Sequence, residues 1–391
     1  MNIFLVGNGF DLAHNLPTKY ENFLHTIMFL IKNYNKDMVT VGHVFGNSNL
    51  HKQDWWISKC YACYGSGWDA AELKAEEVER LIARAKENMW FSYFSTVFDQ
   101  DLGWIDFEKE IATVLSAFSE FFAGNEDRSF VLEHISSNDG VRFVISQFSF
   151  FYESAAVPPA ALALYSNYNV IAKYCMEYPK GSGEWIMRND AIVEDLYRAL
   201  EDFSHLLQEY LRIFVDQPLA TLLQTNLLQK NLQFARASKV ITFNYSSVCE
   251  KVYGVEQVMH IHGTIGSRIV LGVNPNEDDD VQTVDTTFLQ FKKYYQRVLF
   301  GTDTTYLNYV QFNEKTRRAN QNVVTVIGHS LDITDKDVIM EVFDLADEIH
   351  ILYHNEKAIG NYIKNLVNMY GKDGFDRLRS VKKLRFEPQS A

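Results

Sequence analysis

The feature that most constrains the fold is a short apolar run near the start of the chain that stops at a glycine-containing turn. Residues 2–6 (NIFLV) are rich in residues that favour strands, and Gly7-Asn8-Gly9 follows at once. A buried strand that breaks into such a turn is the usual start of an open parallel α/β sheet. The run therefore predicts that this chain folds around a parallel sheet.

The other predicted strands all lie after residue 238, in short β-branched runs bounded by Asn or Gly. These runs are 239–243, 270–271, 323–327 and 349–353. Helical patterns separate several of them, near 284–299, 305–320, 335–347 and 355–371. Because strand, helix, strand is the signature of a parallel sheet, we expect one Rossmann-type α/β domain formed by residues 1–18 and 236–391.

The long stretch between the first strand and the others, 19–235, is mainly helical in pattern. Residues 19–33 predict one helix. An apolar stripe with alternating spacings of four and three residues runs from Leu196 to Phe214 and predicts another, whose apolar face packs in a core. The stretch is therefore expected to be a large helical insertion that interrupts the sheet domain.

Composition narrows the function classes. The chain has 391 residues, of which 47% are apolar, and this argues for a large core and against disorder. Lys and Arg number 37 against 50 Asp and Glu, so the formal charge of -13 disfavours broad contact with nucleic acid or an anionic membrane. Four cysteines are too few for a disulfide framework, and the first apolar run stops short of a signal peptide. We expect a cytoplasmic protein with no membrane segment.

No metal site is expected. Cys60 and Cys63 form a single C-x-x-C pair within 44–69, a stretch predicted to be a long loop. Zinc would need further ligands, for which His51 is one candidate, and incidental cysteines are the favoured interpretation.

The first motif that can carry chemistry runs from Gly7 to Asp11 (GNGFD). Glycines after a strand let backbone N–H groups approach a phosphate, and a following helix adds a favourable dipole. The third glycine of the G-x-G-x-x-G fingerprint is absent, because Leu12 occupies its place. A hydride-transferring dinucleotide site is therefore disfavoured, and a tight turn without a ligand remains the alternative.

Asn244 and a pair of histidines follow two later strands. Asn244 lies at the end of 239–243, where open parallel sheets bind ligands, and its amide suits a sugar hydroxyl or a water; a helix cap is the alternative. Alternation places His260 and His262 on the same face of a strand. No further ligands with zinc-site spacing follow, so His262 beside Gly263 fits a general base better than a metal site. A structural histidine remains the alternative for one of the two.

A third group of polar residues follows the strand predicted at 323–327. Gly328, Ser330 and Asp332 are able to hold a ribose or a phosphate, whereas Asp335 has the simpler alternative of capping the next helix.

Taken in order, these motifs resemble the bacteriophage abortive-infection AbiH family. The resemblance rests on GNGFDLAH at 7–14 with LPT at 16–18, WIDFE at 104–108, TFNY at 242–245, HIHG at 260–263, and GHSL at 328–331 with Asp335. The family implies a role in antiphage defence.

AbiH in turn resembles a distant branch of the sirtuin fold, which binds NAD and cleaves its nicotinamide–ribose bond. The residues implied are Asn244 and His262 for catalysis, Gly7, Asn8, Gly9 and Asp11 for the pyrophosphate, and Gly328, Ser330 and Asp332 for the adenosine side. Two departures bear on this. Ser246 stands where sirtuins have Asp, and the four-cysteine zinc module is missing, so a protein deacylase is disfavoured.

The sequence hypothesis is a cytoplasmic antiphage effector that hydrolyses NAD or a related nucleotide without a metal. Since each motif follows a strand, we expect Gly7, Asn244, His262 and Ser330 to meet in one pocket at the carboxyl edge of the sheet. A phage-derived trigger and a homo-oligomer are left open. So are two other classes of protein: a non-catalytic nucleotide sensor, and a protein-interaction toxin acting through the helical block. A nuclease ranks last, given the charge of -13.

Overall fold

The structure is a computed structural model. The residues that it describes are 2–45, 71–98, 106–123, 139–148, 151–153, 168–170, 174–177, 180–181, 185–220, 238–274, 286–310, 322–380 and 383–389. Cys60 and Cys63 lie outside these residues, and so does the predicted loop at 44–69 except for its first two residues.

Six strands in the described residues form one sheet. They are β1 (Asn2–Val6), β6 (Lys239–Thr242), β7 (Val258–His260), β8 (Val323–Ile327), β9 (Glu348–Tyr353) and β10 (Leu384–Pro388). Their order across the sheet is β10-β9-β8-β1-β6-β7, and every neighbouring pair is parallel. The predicted Rossmann-type parallel α/β class is confirmed.

Helices connect and cover these strands. In the described residues they are α1 (Asn8–Ala13), α2 (Tyr20–Asn33), α3 (Val41–Phe45), α4 (Ala75–Glu87), α5 (Met89–Val97), α6 (Phe107–Ala123), α7 (Asp139–Ser146), α8 (Asn189–Leu211), α9 (Val248–Lys251), α10 (Lys293–Phe300), α11 (Leu307–Val310), α12 (Lys336–Leu345) and α13 (Glu356–Ser380). Short 3-10 turns span Leu289–Phe291 and Ile333–Asp335, and a π-helical turn at Arg212–Asp216 follows α8. None of these described helices combines the length and the apolar character needed to cross a bilayer.

The register of β1 determines where the site forms. Val6, its last residue, lies opposite Thr242 of β6 on one side and Ile327 of β8 on the other. The turns after these three strands therefore begin at the same level of the sheet. Ile3 and Leu5 of β1 are completely buried, because a central parallel strand is covered on both faces.

Two strand predictions are wrong. Val270 and Leu271 lie in a loop outside the sheet, where the N–H of Val270 donates to the carbonyl of His262 at 2.9 Å. The strand predicted to hold both histidines ends at His260. The chain turns there because Gly263 has a φ of +83°, and a Cβ at that position would lie 1.9 Å from the carbonyl oxygen of Arg268. The two imidazoles consequently have different partners.

Strands also occur where none is predicted. β10 pairs with β9 at the edge of the main sheet. Within the block predicted to be mainly helical, β2 (Phe151–Glu153) pairs with β3 (Tyr168–Val170), and β4 (Cys175–Glu177) pairs with β5 (Trp185–Met187), both antiparallel. These strands have three residues each, which is too short for a periodic pattern to reveal them.

The chain divides into two compact units. The first comprises residues 1–81, 207–270 and 296–391 and holds the sheet; the second comprises 82–206 and 271–295. These bounds differ from the predicted insertion at 19–235. α2 belongs with the sheet-bearing unit, where Phe23 packs edge-on against Tyr210 and the Tyr210 hydroxyl donates to the carbonyl of Pro17 at 2.9 Å.

The second unit has its own aromatic core. Trp90 is completely buried, packs edge-on against Phe148 and donates its indole N–H to the carbonyl of Leu196 at 3.0 Å. The buried ammonium of Lys293 lies 2.6 Å from Glu108, the last residue of the WIDFE motif. That motif therefore contributes a buried ion pair to this unit.

Candidate functional site

The candidate site lies at the carboxyl edge of the sheet, where β1 meets β8. β1 lies in the middle of the strand order. β6 and β7 follow on one side of β1, and β8, β9 and β10 follow on the other side. Open parallel sheets bind ligands at such a divergence of strand order, just beyond the carboxyl ends of the strands.

The glycine turns after β1 and β8 pack directly on each other. The N–H of Gly9 donates to the carbonyl of Gly328 at 2.7 Å, and the N–H of Gly7 donates to that of Ile327 at 3.0 Å. A Cβ on Gly9 would lie 2.8 Å from the Gly328 oxygen, and a Cβ on Gly328 would lie 2.2 Å from the Phe10 nitrogen. The glycines thus allow two backbones to approach closely. Their predicted contact with a phosphate stays a prediction.

The two halves of the opening motif are joined by a side-chain contact. The hydroxyl of Thr18 donates to the Asn8 side-chain oxygen at 2.6 Å, and the N–H of Leu16 donates to the carbonyl of Asp11 at 3.2 Å. These bonds fold LPT back on GNGFD, which accounts for their joint occurrence.

Asp11 is the centre of a buried hydrogen-bond network. Its Oδ1 accepts from the Asn244 side-chain amide at 2.9 Å, and its Oδ2 accepts from the Ser246 hydroxyl at 2.7 Å. The same Asn244 nitrogen donates to the carbonyl of Gly7 at 3.1 Å. The network therefore ties the turn after β6 to the turn after β1.

The environment of Asp11 favours its neutral form. Burial raises the pKa of this carboxyl from 3.8 to about 7, although the hydrogen bonds from Ser246 and Asn244 and the nearby His260 oppose that rise. A carboxyl that exchanges a proton near neutral pH is suited to acid–base chemistry, and such groups cluster at functional sites.

His260 extends the network outward. Its Nδ1 donates to the carbonyl of Asn244 at 2.8 Å, and its Nε2 lies 2.8 Å from a carboxylate oxygen of Glu250. Both ring nitrogens are thus engaged by protein groups, which identifies His260 as a structural part of the site.

A second buried cluster surrounds Asp335. One oxygen of this carboxyl lies 3.2 Å from His262 Nε2, and the other lies 3.5 Å from His329 Nε2. The ring of Phe243 lies beside both imidazoles, with centroid distances of 5.4 Å to His262 and 4.3 Å to His329. Arg297 is buried nearby, and the field of Asp335 opposes the lowering of the Arg297 pKa by burial.

The tautomer of His329 follows from its hydrogen bonds. The backbone N–H of Leu331, which can only donate, points to His329 Nδ1 at 2.9 Å. The neutral ring therefore carries its proton on Nε2, the atom that faces Asp335. Leu331 adopts a positive φ of 55° to make this contact, a strained conformation of the kind found at functional sites.

A cavity of about 640 Å³ opens beside these clusters. Its walls come from the turns after β1 and β8, the ends of β9 and β10, and the first turns of α13. The backbone of Gly9 and Gly328 and the side chains of Ser330, His354 and Lys364 are among the lining groups. The volume is typical of a site for a small organic ligand.

The predicted site residues fall into three places. Gly9, Gly328 and Ser330 line the cavity. Gly7, Asp11 and Asn244 belong to the Asp11 network, and His262 belongs to the Asp335 cluster. Asn8 bonds Thr18, and the Asp332 carboxyl accepts from the N–H of Thr334 at 3.1 Å. All lie at one edge of the sheet, and His329 joins the cavity to the Asp335 cluster, since it belongs to both.

Sequence reasoning assigns no role to His329 and Glu250 and treats Asp335 as a helix cap. Asp335 does precede α12, but its side chain makes no capping bond and faces the imidazoles instead. The sequence does contain a signal that could have identified His329 as a site residue. His329 lies in GHSL, directly after a buried strand, where side chains reach the carboxyl edge of the sheet.

In the described part of the chain, no group of three or more His, Cys, Asp or Glu side chains is arranged to hold a metal ion. The Asp335 cluster consists of one carboxyl at ion-pair distance from two imidazoles.

The fold and the site define a parallel α/β protein with a ligand-sized cavity where the strand order diverges. Residues 3–354 match the model of the family described as Bacteriophage abortive infection AbiH, and the chain belongs to that family. The family assigns the protein a role in abortive infection by bacteriophage. No curated protein and no solved structure is similar enough to match the chain.

Proposed function

We propose that this AbiH protein binds NAD or a related nucleotide in the 640 Å³ cavity and hydrolyses the bond between nicotinamide and ribose. Loss of the nucleotide pool would stop host metabolism and so abort infection. The observation that carries the proposal is the position of the cavity at the divergence of strand order, lined by Gly9, Gly328 and Ser330.

In the proposed reaction, the bond from the nicotinamide nitrogen to ribose C1′ breaks, and nicotinamide leaves with the electron pair. A water oxygen forms the new bond to C1′, and its proton passes to the His262 imidazole and then to solvent. Asp335, 3.2 Å from His262 Nε2, stabilises the charged ring. Asn244 holds the ribose or the water.

A carboxyl is also available where the sirtuin resemblance expects one. Ser246 occupies that sequence position, but its hydroxyl donates to Asp11 at 2.7 Å, so the Asp11 carboxyl lies next to it. We propose that Asp11 supports the positive charge that develops on the ribose. Its ionised form is required for this role, and the pKa of about 7 makes that form available at cellular pH.

The test is release of nicotinamide from NAD by the purified full chain, with and without lysate of phage-infected cells. We expect release by the parent protein and a loss of roughly 10²–10⁴-fold in rate for His262→Ala, the range typical of a positioned general base. His43→Ala, at an exposed histidine of α3, is the matched control and should keep full activity.

Thermal melting of both variants separates a catalytic defect from an unfolded one. Full turnover by a folded His262→Ala protein would rule out this histidine as the base. Unchanged NAD in every parent reaction, with lysate present, would reject hydrolysis.

A non-catalytic nucleotide sensor is the second candidate, and one observation favours it. Asn244 and His262 are only 5% and 7% exposed, and both face protein groups instead of lining the cavity. A sensor predicts that calorimetry detects NAD binding while no nicotinamide is released.

A further inference from the structure

The cavity differs in charge from the rest of the chain. The sequence carries 50 acidic and 37 basic side chains, yet no Asp or Glu is among the described residues that line the cavity. Its lining includes Lys364 and His354, and within the described residues neither side chain has a hydrogen-bond or ion-pair partner. The cavity therefore combines an unpaired lysine with an absence of carboxylates among its described lining residues, although the chain as a whole is acidic. Such a wall is suited to an anion.

Three backbone donors of the first glycine turn, the N–H groups of Gly7, Gly9 and Phe10, are already engaged. The N–H of Gly9 donates to Gly328 and the N–H of Phe10 donates to the carbonyl of Gly7. The N–H of Gly9, the glycine of this turn that lines the cavity, is therefore not available to a phosphate.

We propose that Lys364, with His354 and Ser330, forms a phosphate-binding corner of this cavity, so that its ligand is a phosphorylated compound held by the α13 wall. The proposal deepens the proposed function, because it rests on the same cavity taking the nucleotide. Charge-assisted hydrogen bonds from an ammonium to phosphate oxygens are among the stronger polar contacts in proteins.

The corner is built on an ordered turn. The carbonyl of Ser330 accepts from the Asn365 side-chain amide at 3.0 Å, so α13 is bonded to the turn that carries Ser330. Lys364 precedes Asn365 on the same helix. One hydrogen bond and one helix thus connect the backbone of Ser330 to that of Lys364.

A second cavity, in the other compact unit, has a different charge pattern. It is lined by Arg84 and Arg198 but also by Asp195 and Asp202, and Arg198 lies 3.1 Å from Asp195. The positive charges of its arginines are therefore balanced by the aspartates of the same wall. The contrast supports an anionic ligand for the sheet-edge cavity specifically.

The α13 wall lies outside the stretch that matches the family model, which ends at residue 354. The phosphate corner therefore combines Ser330 and His354 from the matched stretch with Lys364 from the segment that follows.

The experiment measures binding of three probes to the full chain by calorimetry: NAD, inorganic pyrophosphate, and adenosine, which has no phosphate. Lys364→Met is compared with Lys372→Met, which removes an equal charge at an exposed position of α13, after the kink at Gly371 and beyond the cavity. We expect Lys364→Met to weaken NAD and pyrophosphate binding about 10- to 100-fold, Lys372→Met to leave both unchanged, and Lys364→Arg to restore much of the loss.

The outcomes separate this proposal from the proposed function. Pyrophosphate binding that depends on Lys364, together with no release of nicotinamide, keeps the phosphate corner and rejects hydrolysis. NAD turnover with equal affinity in Lys364→Met and Lys372→Met keeps hydrolysis and overturns the corner. Failure of the parent protein to bind either phosphorylated probe, or adenosine binding as tight as NAD binding, also overturns it.

Discussion

At the scale of single residues, Asp11 shows how burial and hydrogen bonding compete. Its carboxyl is 1% exposed and accepts hydrogen bonds from Asn244 and Ser246. Desolvation is the stronger influence, so the pKa of Asp11 rises to about 7. The protonation of this one group couples the stability of the site to pH.

The contribution of Asp11 to stability falls as the pH rises. The folded chain holds the Asp11 proton more tightly than the unfolded chain, whose carboxyl has a pKa of 3.8. Its contribution to stability is therefore complete below about pH 4 and is lost as the pH rises to about 7. We expect Asp11→Asn, which keeps an acceptor for Asn244, to remove this part of the pH dependence.

Urea unfolding of the parent and of Asp11→Asn across that pH range provides the measurement. The free energy of unfolding of the parent, relative to the variant, should fall steadily between pH 4 and pH 7 and then level off. Parallel curves for the two proteins would show that Asp11 ionises in the folded state as it does in the unfolded one.

His260 is expected to affect stability more than chemistry. Replacing it with Ala leaves the Asn244 carbonyl and the Glu250 carboxylate without the ring nitrogens that lie 2.8 Å from each. Asn244 is buried, and a buried polar group that loses its partner costs about 1–3 kcal/mol. The free energy of unfolding of His260→Ala should fall by that amount, whereas exposed His43→Ala should change it by less than about 0.5 kcal/mol. Equal stabilities would contradict the structural role.

At the scale of elements, the contact between the turns after β1 and β8 decides the shape of the site. Gly328 has a φ of +63°, and a Cβ there would meet the backbone of Gly9 and Phe10. Neither the conformation nor the space suits another residue. The sheet edge can therefore close only with glycine at this position.

A pair of glycine substitutions tests this. Gly328→Ala should destabilise the protein by at least about 2 kcal/mol, because the backbones must separate and the positive φ becomes strained. Gly360 lies inside α13, and a Cβ there would meet no other atom within 4 Å, so Gly360→Ala should stabilise by about 0.5–1 kcal/mol. Thermal melting gives both values, and a neutral Gly328→Ala would refute the close packing.

At the scale of the whole molecule, the family-matched stretch is not a complete folding unit. The match ends at residue 354, but Tyr362, Leu366, Phe375 and Leu384 are buried in the same core as the sheet. Removing α13 and β10 would expose that core and leave β9 as an open edge.

A chain that stops after residue 354 is therefore expected to lose cooperative unfolding and the near-UV circular dichroism of packed aromatic side chains. The full chain, prepared in parallel, should retain both. A shortened chain that melts cooperatively at the temperature of the full one would contradict the role given to α13 and β10 in the core.

Much of the sheet follows from local pattern. β1 and β8 are predicted with their observed bounds, because central parallel strands are continuous apolar runs that end at glycine. α2 is predicted to within a residue, from helical periodicity. β10 is not predicted, because this edge strand alternates apolar and charged residues and so lacks the continuous apolar run of the central strands. The run at 270–271 is wrongly included, because two residues are too few to distinguish a strand from a loop.

The motifs are likewise visible in the sequence, but their partners are not. Asp11 suggests a phosphate-binding turn, and Asp335 suggests a helix cap, since both patterns are local. In the structure Asp11 bonds Ser246, and Asp335 faces His262 and His329. The local pattern around each aspartate gives no indication of the partner that it contacts far away in the sequence.

Composition and hydrophobic period thus determine that this chain forms a parallel α/β sheet whose motifs reach one edge. Tertiary structure decides how that edge is divided between buried networks and an open cavity. The deciding contacts are the register of β1 between β6 and β8 and the closure of Gly9 on Gly328. These contacts join segments far apart in the chain, and their geometry depends on the packing of the whole core, which no local stretch of sequence contains.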